Sequence, residues 1–220
     1  MSKPLDWPAP GGSAHGVIDG AAGTIECLVA RPKTAERGVA VICHPHPLHG
    51  GAMSNKVVYT LSSCALQAGL AVARFNFRGV GASGGQHDNT RGETEDCVRV
   101  VDWMRGQKVT DELLLAGFSF GAYVSLKAAS RTAARALVSV APPFGRYLEI
   151  AEDPPHPGCP WLVLHSRDDD IVAYDDTAEA AARYQPSPQW MAVDGAGHLF
   201  HGRLADVQQA VAPFLRSVWP

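Results

Sequence analysis

Three residue types suited to acyl transfer stand far apart in this chain, each just past the end of an apolar run. Ser119 lies within Gly117-Phe118-Ser119-Phe120-Gly121, directly after the apolar run 113–116 and directly before a helix-like stretch. An acidic cluster, Asp168, Asp169 and Asp170, follows the apolar segment 161–164, and His198 follows a strand-like segment at 189–193. A serine hydroxyl is a poor nucleophile at neutral pH. It needs a general base to take its proton and a third group to hold that base in the right tautomer. Serine, acid and histidine in that chain order suit this chemistry at the rim of a parallel sheet.

The G-x-S-x-G pentapeptide reads as a nucleophile elbow, a sharp strand-to-helix turn that holds the serine Oγ above the sheet edge. Glycines at 117 and 121 let strand and helix cross closely, where a β-carbon would jam. A plainer reading makes Ser119 a cap for the following helix, and the downstream partners weigh against it. Catalytic groups in open parallel sheets collect at the carboxyl ends of strands, so three strand ends would deliver Ser119, an aspartate and His198 to one rim.

The elements that must position these groups alternate along the chain. Short apolar runs predict strands over 25–30, 39–43, 71–75, 113–116, 136–140, 161–164 and 189–193. Amphipathic stretches predict helices over 55–67, 93–105, 122–130, 175–184 and 203–218. That alternation is the signature of βαβ units, so the expected class is α/β, a mostly parallel central sheet flanked by helices on both faces. The 220 residues fit a single domain spanning 1–220.

Three further motifs accompany the elbow: Cys43-His44-Pro45-His46-Pro47-Leu48-His49-Gly50-Gly51, the stretch 74–83 (Arg-Phe-Asn-Phe-Arg-Gly-Val-Gly-Ala-Ser), and Gly197-His198-Leu199-Phe200-His201-Gly202. With them the chain resembles the small lidless bacterial serine hydrolases of the α/β-hydrolase superfamily, whose relatives include dienelactone hydrolases and prolyl-oligopeptidase-like enzymes. The resemblance implies a carboxylesterase-like enzyme that cleaves a small ester or thioester through an acyl-serine intermediate. Order alone leaves the three aspartates open. The family pattern, in which the acid stands three residues before a returning valine, here Val172, implies Asp169, with Asp170 the second choice.

An oxyanion hole needs two backbone donors. Phe120 N–H, next to the nucleophile, is one, and the loop 44–51 should supply the other. Pro45 and Pro47 have no N–H, which leaves His46, Leu48 and His49. The family pattern points to Leu48; His46 and His49 are the candidate substrate-contacting side chains. Other chemistry on the same triad (peptidase, lactonase or perhydrolase) and a non-catalytic binding protein on the same fold are the rival readings.

Several classes are disfavoured. The histidines at 44, 46, 198 and 201 lack H-E-x-x-H or C-x-x-C spacing, so neither a metal nor any other cofactor is expected. Residues 78–85 lack the G-K-[ST] of a phosphate loop and read as a turn that walls the rim. A net charge of −3 and an isoelectric point near 6.3 give no basic footprint for nucleic acid. No run approaches a membrane span, the first ten residues are broken by proline, and five scattered cysteines suit reduced thiols, so the expected setting is the cytoplasm. The expected partner is a small acyl substrate, with monomer or dimer left open. Prolines at 142, 143, 154, 155 and 157 would interrupt any helical cap between the predicted strands 136–140 and 161–164.

Overall fold

Alternating side chains of the central strands feed two apolar layers, one on each face of a single sheet. Within β3 (Gly38–Cys43), Val39, Val41 and Cys43 pack on one face while Ala40 and Ile42 pack on the other. Every residue of β3 is buried, which a strand covered on both sides requires. The computed structural model describes residues 3–107, 110–144, 148 and 153–220.

Chain order runs β1 (Ser13–Gly20), β2 (Gly23–Ala30), β3, α1 (Lys56–Gln67), β4 (Leu70–Phe75), α2 (Arg91–Gly106), β5 (Leu113–Phe118) and α3 (Phe120–Thr132). It continues through β6 (Ala136–Val140), β7 (Trp161–Ser166), α4 (Tyr174–Ala182), β8 (Gln189–Val193) and α5 (Leu204–Val218). The eight strands lie in the order β1-β2-β4-β3-β5-β6-β7-β8. The β1–β2 and β2–β4 pairs are antiparallel, and every pair from β4 to β8 is parallel.

Helices α2, α3 and α4 contribute Val100, Met104, Val124, Leu126 and Ala180 to one layer. Helices α1 and α5 contribute Leu61, Val207, Val211 and Phe214 to the other. This is the α/β architecture the sequence predicts. One strand departs from that reading: β1 pairs with β2 along its whole length, although its sequence, S-A-H-G-V-I-D-G, carries too few apolar positions to announce it. Between β6 and β7 no helix or strand occurs among the described residues. Part of that proline-rich interval, 145–147 and 149–152, lies outside them. Among the described residues, no helix is long and apolar enough to cross a membrane.

Candidate active site

Ser119 stands between the end of β5 and the start of α3 with φ 52° and ψ −125°, a conformation L-residues rarely adopt. Strain of this kind costs on the order of 1–3 kcal/mol and persists only where surrounding structure enforces it. Here Ser119 N–H donates to the Val140 carbonyl at 2.8 Å, and Ser119 O accepts from Ala122 N–H at 2.8 Å. A β-carbon on Gly117 would run into the Gly121 backbone, and one on Gly121 would run into the Cys43 and His44 carbonyl oxygens. The glycines at both flanks are therefore required by close approach, and α3 starts against the exit of β3.

His198 follows β8 in a loop whose next turn is anchored by Phe200, completely buried in the core. Its Nε2 lies 3.0 Å from Ser119 Oγ and its Nδ1 lies 2.8 Å from Asp169 Oδ2. Nδ1 faces a carboxylate and so carries the proton, which leaves Nε2 to accept from the serine hydroxyl. The His198 ring rests on Phe118 at a centroid distance of 5.3 Å. The structure thus brings Ser119, His198 and Asp169 into one hydrogen-bonded chain, from three different strand ends.

The Asp169 side chain is fully buried. Burial alone would raise its pKa. Hydrogen bonds from His165, His198 and the Val172 amide reverse that and hold it well below the usual carboxylate range. Its Oδ1 accepts the N–H groups of Ile171 and Val172, at 3.0 and 2.7 Å. Asp168 takes a different job: its Oδ1 accepts from the Ser166 hydroxyl at 2.9 Å and from Gly195 N–H at 2.7 Å, and its Oδ2 from Gly197 N–H at 3.3 Å. These bonds, the Ser166 hydroxyl foremost, lower its pKa. Asp168 is exposed, yet it ties the acid loop to the histidine loop.

The loop after β3 folds into a single 3₁₀ turn, Pro47–His49. His44 is buried: its Nε2 accepts Phe77 N–H at 3.0 Å and its Nδ1 lies 2.6 Å from the Pro45 carbonyl, so the proton sits on Nδ1. Burial pushes the His44 imidazole down to about 4. The His46 imidazole is also pushed down to about 4, by burial and by the neighbouring His87 and His49. Its ring packs 4.8 Å from Phe120, 4.7 Å from His49 and 4.9 Å from His87.

The amides of this loop differ from the sequence expectation. Leu48 N–H, the expected second oxyanion donor, is engaged by His46 Nδ1 at 3.2 Å, and the residue is 70% exposed. His49 and Gly51 donate to the His46 carbonyl at 3.1 and 3.0 Å. His46 N–H has no partner among the described residues. Phe120 N–H opens α3 and, like other first-turn amides, has no intrahelical acceptor.

Sequence reasoning missed His87, whose ring lies 5.5 Å from Phe120 and whose Nδ1 lies 2.8 Å from the fully buried Glu93 Oε1. The only signal was its place just after the turn expected to wall the rim. Among the described residues, no three His, Cys, Asp or Glu side chains converge as a metal site would need.

Residues 19–154 match the family model for X-Pro dipeptidyl-peptidase, the S15 family. The chain belongs to the S15 family. An uncharacterized protein of Rickettsia prowazekii (strain Madrid E) is 30% identical over 210 residues, 91% of this chain and 88% of that one. A Xanthomonas campestris protein described as an α/β serine hydrolase without lid shares 36% identity, covers 99% of both chains and gives a TM-score of 0.88. An α/β serine hydrolase homologue from Coxiella burnetii shares 38% identity, with 96% of this chain and 100% of that one covered and a TM-score of 0.87. This S15 chain is a lidless serine hydrolase of the α/β-hydrolase fold. The S15 match contains Ser119 and the loop 44–51, and it stops short of Asp169 and His198.

Proposed function

We propose that this protein is a carboxylesterase-like hydrolase that cleaves small ester or thioester substrates through an acyl-serine intermediate. Ser119 is the nucleophile, His198 the general base and then general acid, and Asp169 the group that orients His198. The observation that carries this reading is the continuous chain from Ser119 Oγ to His198 Nε2 at 3.0 Å and from His198 Nδ1 to Asp169 Oδ2 at 2.8 Å.

Ser119 Oγ attacks the substrate carbonyl as its proton passes to His198 Nε2, giving a tetrahedral oxyanion and an imidazolium steadied by Asp169. The oxyanion is received by two N–H groups, that of Phe120 and that of His46, which replaces Leu48 because Leu48 N–H already serves His46 Nδ1. Collapse of the intermediate breaks the bond to the leaving group, which takes the proton from His198. Water then attacks the acyl-serine, His198 taking its proton, and the acid departs as the proton returns to Ser119. His46 and His49 form a wall of the substrate cleft beside Phe120. With no lid to exclude bulk water, hydrolysis is favoured over transfer to another acceptor. Five unpaired cysteines support a reducing, cytoplasmic setting.

The test is turnover of a short p-nitrophenyl ester together with labelling by a fluorophosphonate. Wild type is expected to do both and Ser119→Ala neither; labelling that persists in the variant rejects the assignment. A second reading, a peptidase on the same three residues, is favoured by the family description over 19–154. It predicts release of p-nitroaniline from an X-Pro p-nitroanilide at a rate comparable with ester turnover.

A further inference from the structure

Behind the oxygen that orients His198 stands a second imidazole. His165, the penultimate residue of β7, is completely buried, and its Nε2 lies 3.2 Å from Asp169 Oδ2, the oxygen that also receives His198 Nδ1. The same Nε2 lies 2.9 Å from the Val172 carbonyl oxygen. Two acceptors and no donor face this nitrogen, so it must carry the proton. The other ring nitrogen, Nδ1, is buried with no hydrogen-bond partner. A second proton there would leave a cationic N–H buried and unpaired, which is costly. His165 is therefore a neutral Nε2–H donor.

Packing fixes the ring that makes this donation. Trp190 stacks on it at 6.0 Å with an interplanar angle of 13°, and Tyr174 meets it edge-on at 5.9 Å. The one His165 Nε2–H is shared between the Val172 carbonyl and Asp169 Oδ2, so four N–H groups meet the carboxylate: Ile171 and Val172 on Oδ1, His198 and the shared His165 on Oδ2. That number fills its lone pairs. Turning the carboxylate about its own axis would break contacts on both oxygens at once.

We propose that His165 is a positioning residue for the reaction: its Nε2–H locks Asp169 Oδ2 in line with His198 and shares the negative charge of that oxygen. This rests on the reading of Ser119, His198 and Asp169 as the catalytic chain. Removing the donor leaves more of the carboxylate charge to His198, so the imidazolium form becomes easier to reach. Activity then needs a higher pH.

The groups that face this unit are few. His198 and Asp169 come from their loops and Tyr174 from α4. The Tyr174 hydroxyl accepts from Trp190 Nε1 at 2.9 Å, and its ring lies 4.8 Å from the Arg167 guanidinium. Arg167 in turn lies 3.5 Å from Asp194. Asp168 is held by the Gly195 and Gly197 amides.

The experiment follows kcat/KM for a short p-nitrophenyl ester against pH in wild type, His165→Leu and His165→Gln. In His165→Leu the acid limb should move up by on the order of half a pH unit and kcat should fall about tenfold. In His165→Gln, whose Nε2 donor reaches the same oxygen, the limb should return to the wild-type position. Lost activity with an unmoved limb in His165→Leu would mean that the ring only fills space, and overturns the proposal. A second measurement needs no variant to fold: ¹⁵N-histidine NMR of wild type should show His165 as the neutral Nε2–H tautomer. The Nδ1–H tautomer overturns the proposal. Turnover that survives in Ser119→Ala removes the underlying reading and this inference with it. Serine-dependent turnover with an unmoved limb removes this inference alone.

Discussion

Asp168 Oδ1 accepts the Gly195 amide at 2.7 Å, which fastens the loop bearing Asp169 to the loop bearing His198. The residue next to the orienting acid therefore sets where the histidine loop sits. Asp168→Ala removes the bonds to Gly195 and Gly197 while leaving Asp169 in place. We expect kcat for a p-nitrophenyl ester to fall on the order of tenfold with KM little changed, because misplacing a base by a fraction of an ångström is felt mainly in the chemical step. Unchanged kcat in a steady-state assay would show that the clamp has no bearing on His198.

Asp169→Asn keeps the shape and reverses the hydrogen-bonding sense at Oδ2. An amide there favours the wrong His198 tautomer, and kcat should drop by roughly 10³–10⁴, the size of loss known for such a change in a serine protease triad. The same substitution has a pH signature in stability. Despite its burial, Asp169 is held below the ordinary carboxylate range by His165, His198 and Val172, so its ionised form stabilises the fold above its unfolded value of about 3.9. That contribution is lost as pH falls through the folded value. Acid unfolding followed by circular dichroism should therefore show the two proteins converging below about pH 4.

The His46 amide can be removed with little other disturbance. Its φ of −53° is already close to that of proline, so His46→Pro deletes the N–H at nearly constant backbone shape. His46→Ala is the control that loses the imidazole and keeps the donor. Relative to that control, His46→Pro should lower kcat by about 10²–10³, the range measured for loss of one oxyanion donor. Equal kcat in the two variants would point to a different second donor.

His44 should make stability depend on pH in the opposite half of the acid range. Burial pushes its imidazole down to about 4, so as pH falls from about 6.5 the unfolded chain takes up the proton first. Stability is complete above 6.5 and declines toward pH 4, by on the order of 3 kcal/mol for this residue. His44→Gln offers Oε1 to Phe77 N–H and cannot titrate. Its Tm should therefore fall less between pH 7.5 and pH 4.5 than that of wild type, and parallel curves would contradict the assignment.

Ser119, the aspartate cluster and His198 were legible because each is a local signal: turn chemistry at 117–121, and polar residues just past apolar runs. The central strands were legible for the same reason, since fully buried strands read as unbroken apolar runs. Strand β1 was not, because only two of its eight residues are buried and two are glycine. The Leu48 amide looked free because sequence cannot show the His46 ring turning back on its own loop. His165 lies just past the predicted strand 161–164 and drew no role of its own, and its relation to Asp169 depends on the loop returning through Val172. His87 and Glu93 belong to no motif, and only the fold brings His87 near Phe120 with Glu93, on α2, against its ring.

Strand β5 lies at the middle of the sheet, hydrogen-bonded to β3 on one side and β6 on the other, and Ser119 is the first residue beyond it. Fraying at the β1 or β8 margins can thus come and go without disturbing the nucleophile. Amides of β5 should exchange with solvent only when the whole molecule opens. Heat inactivation that precedes global melting should for that reason trace to His198, in the loop beyond the β8 margin, and not to Ser119.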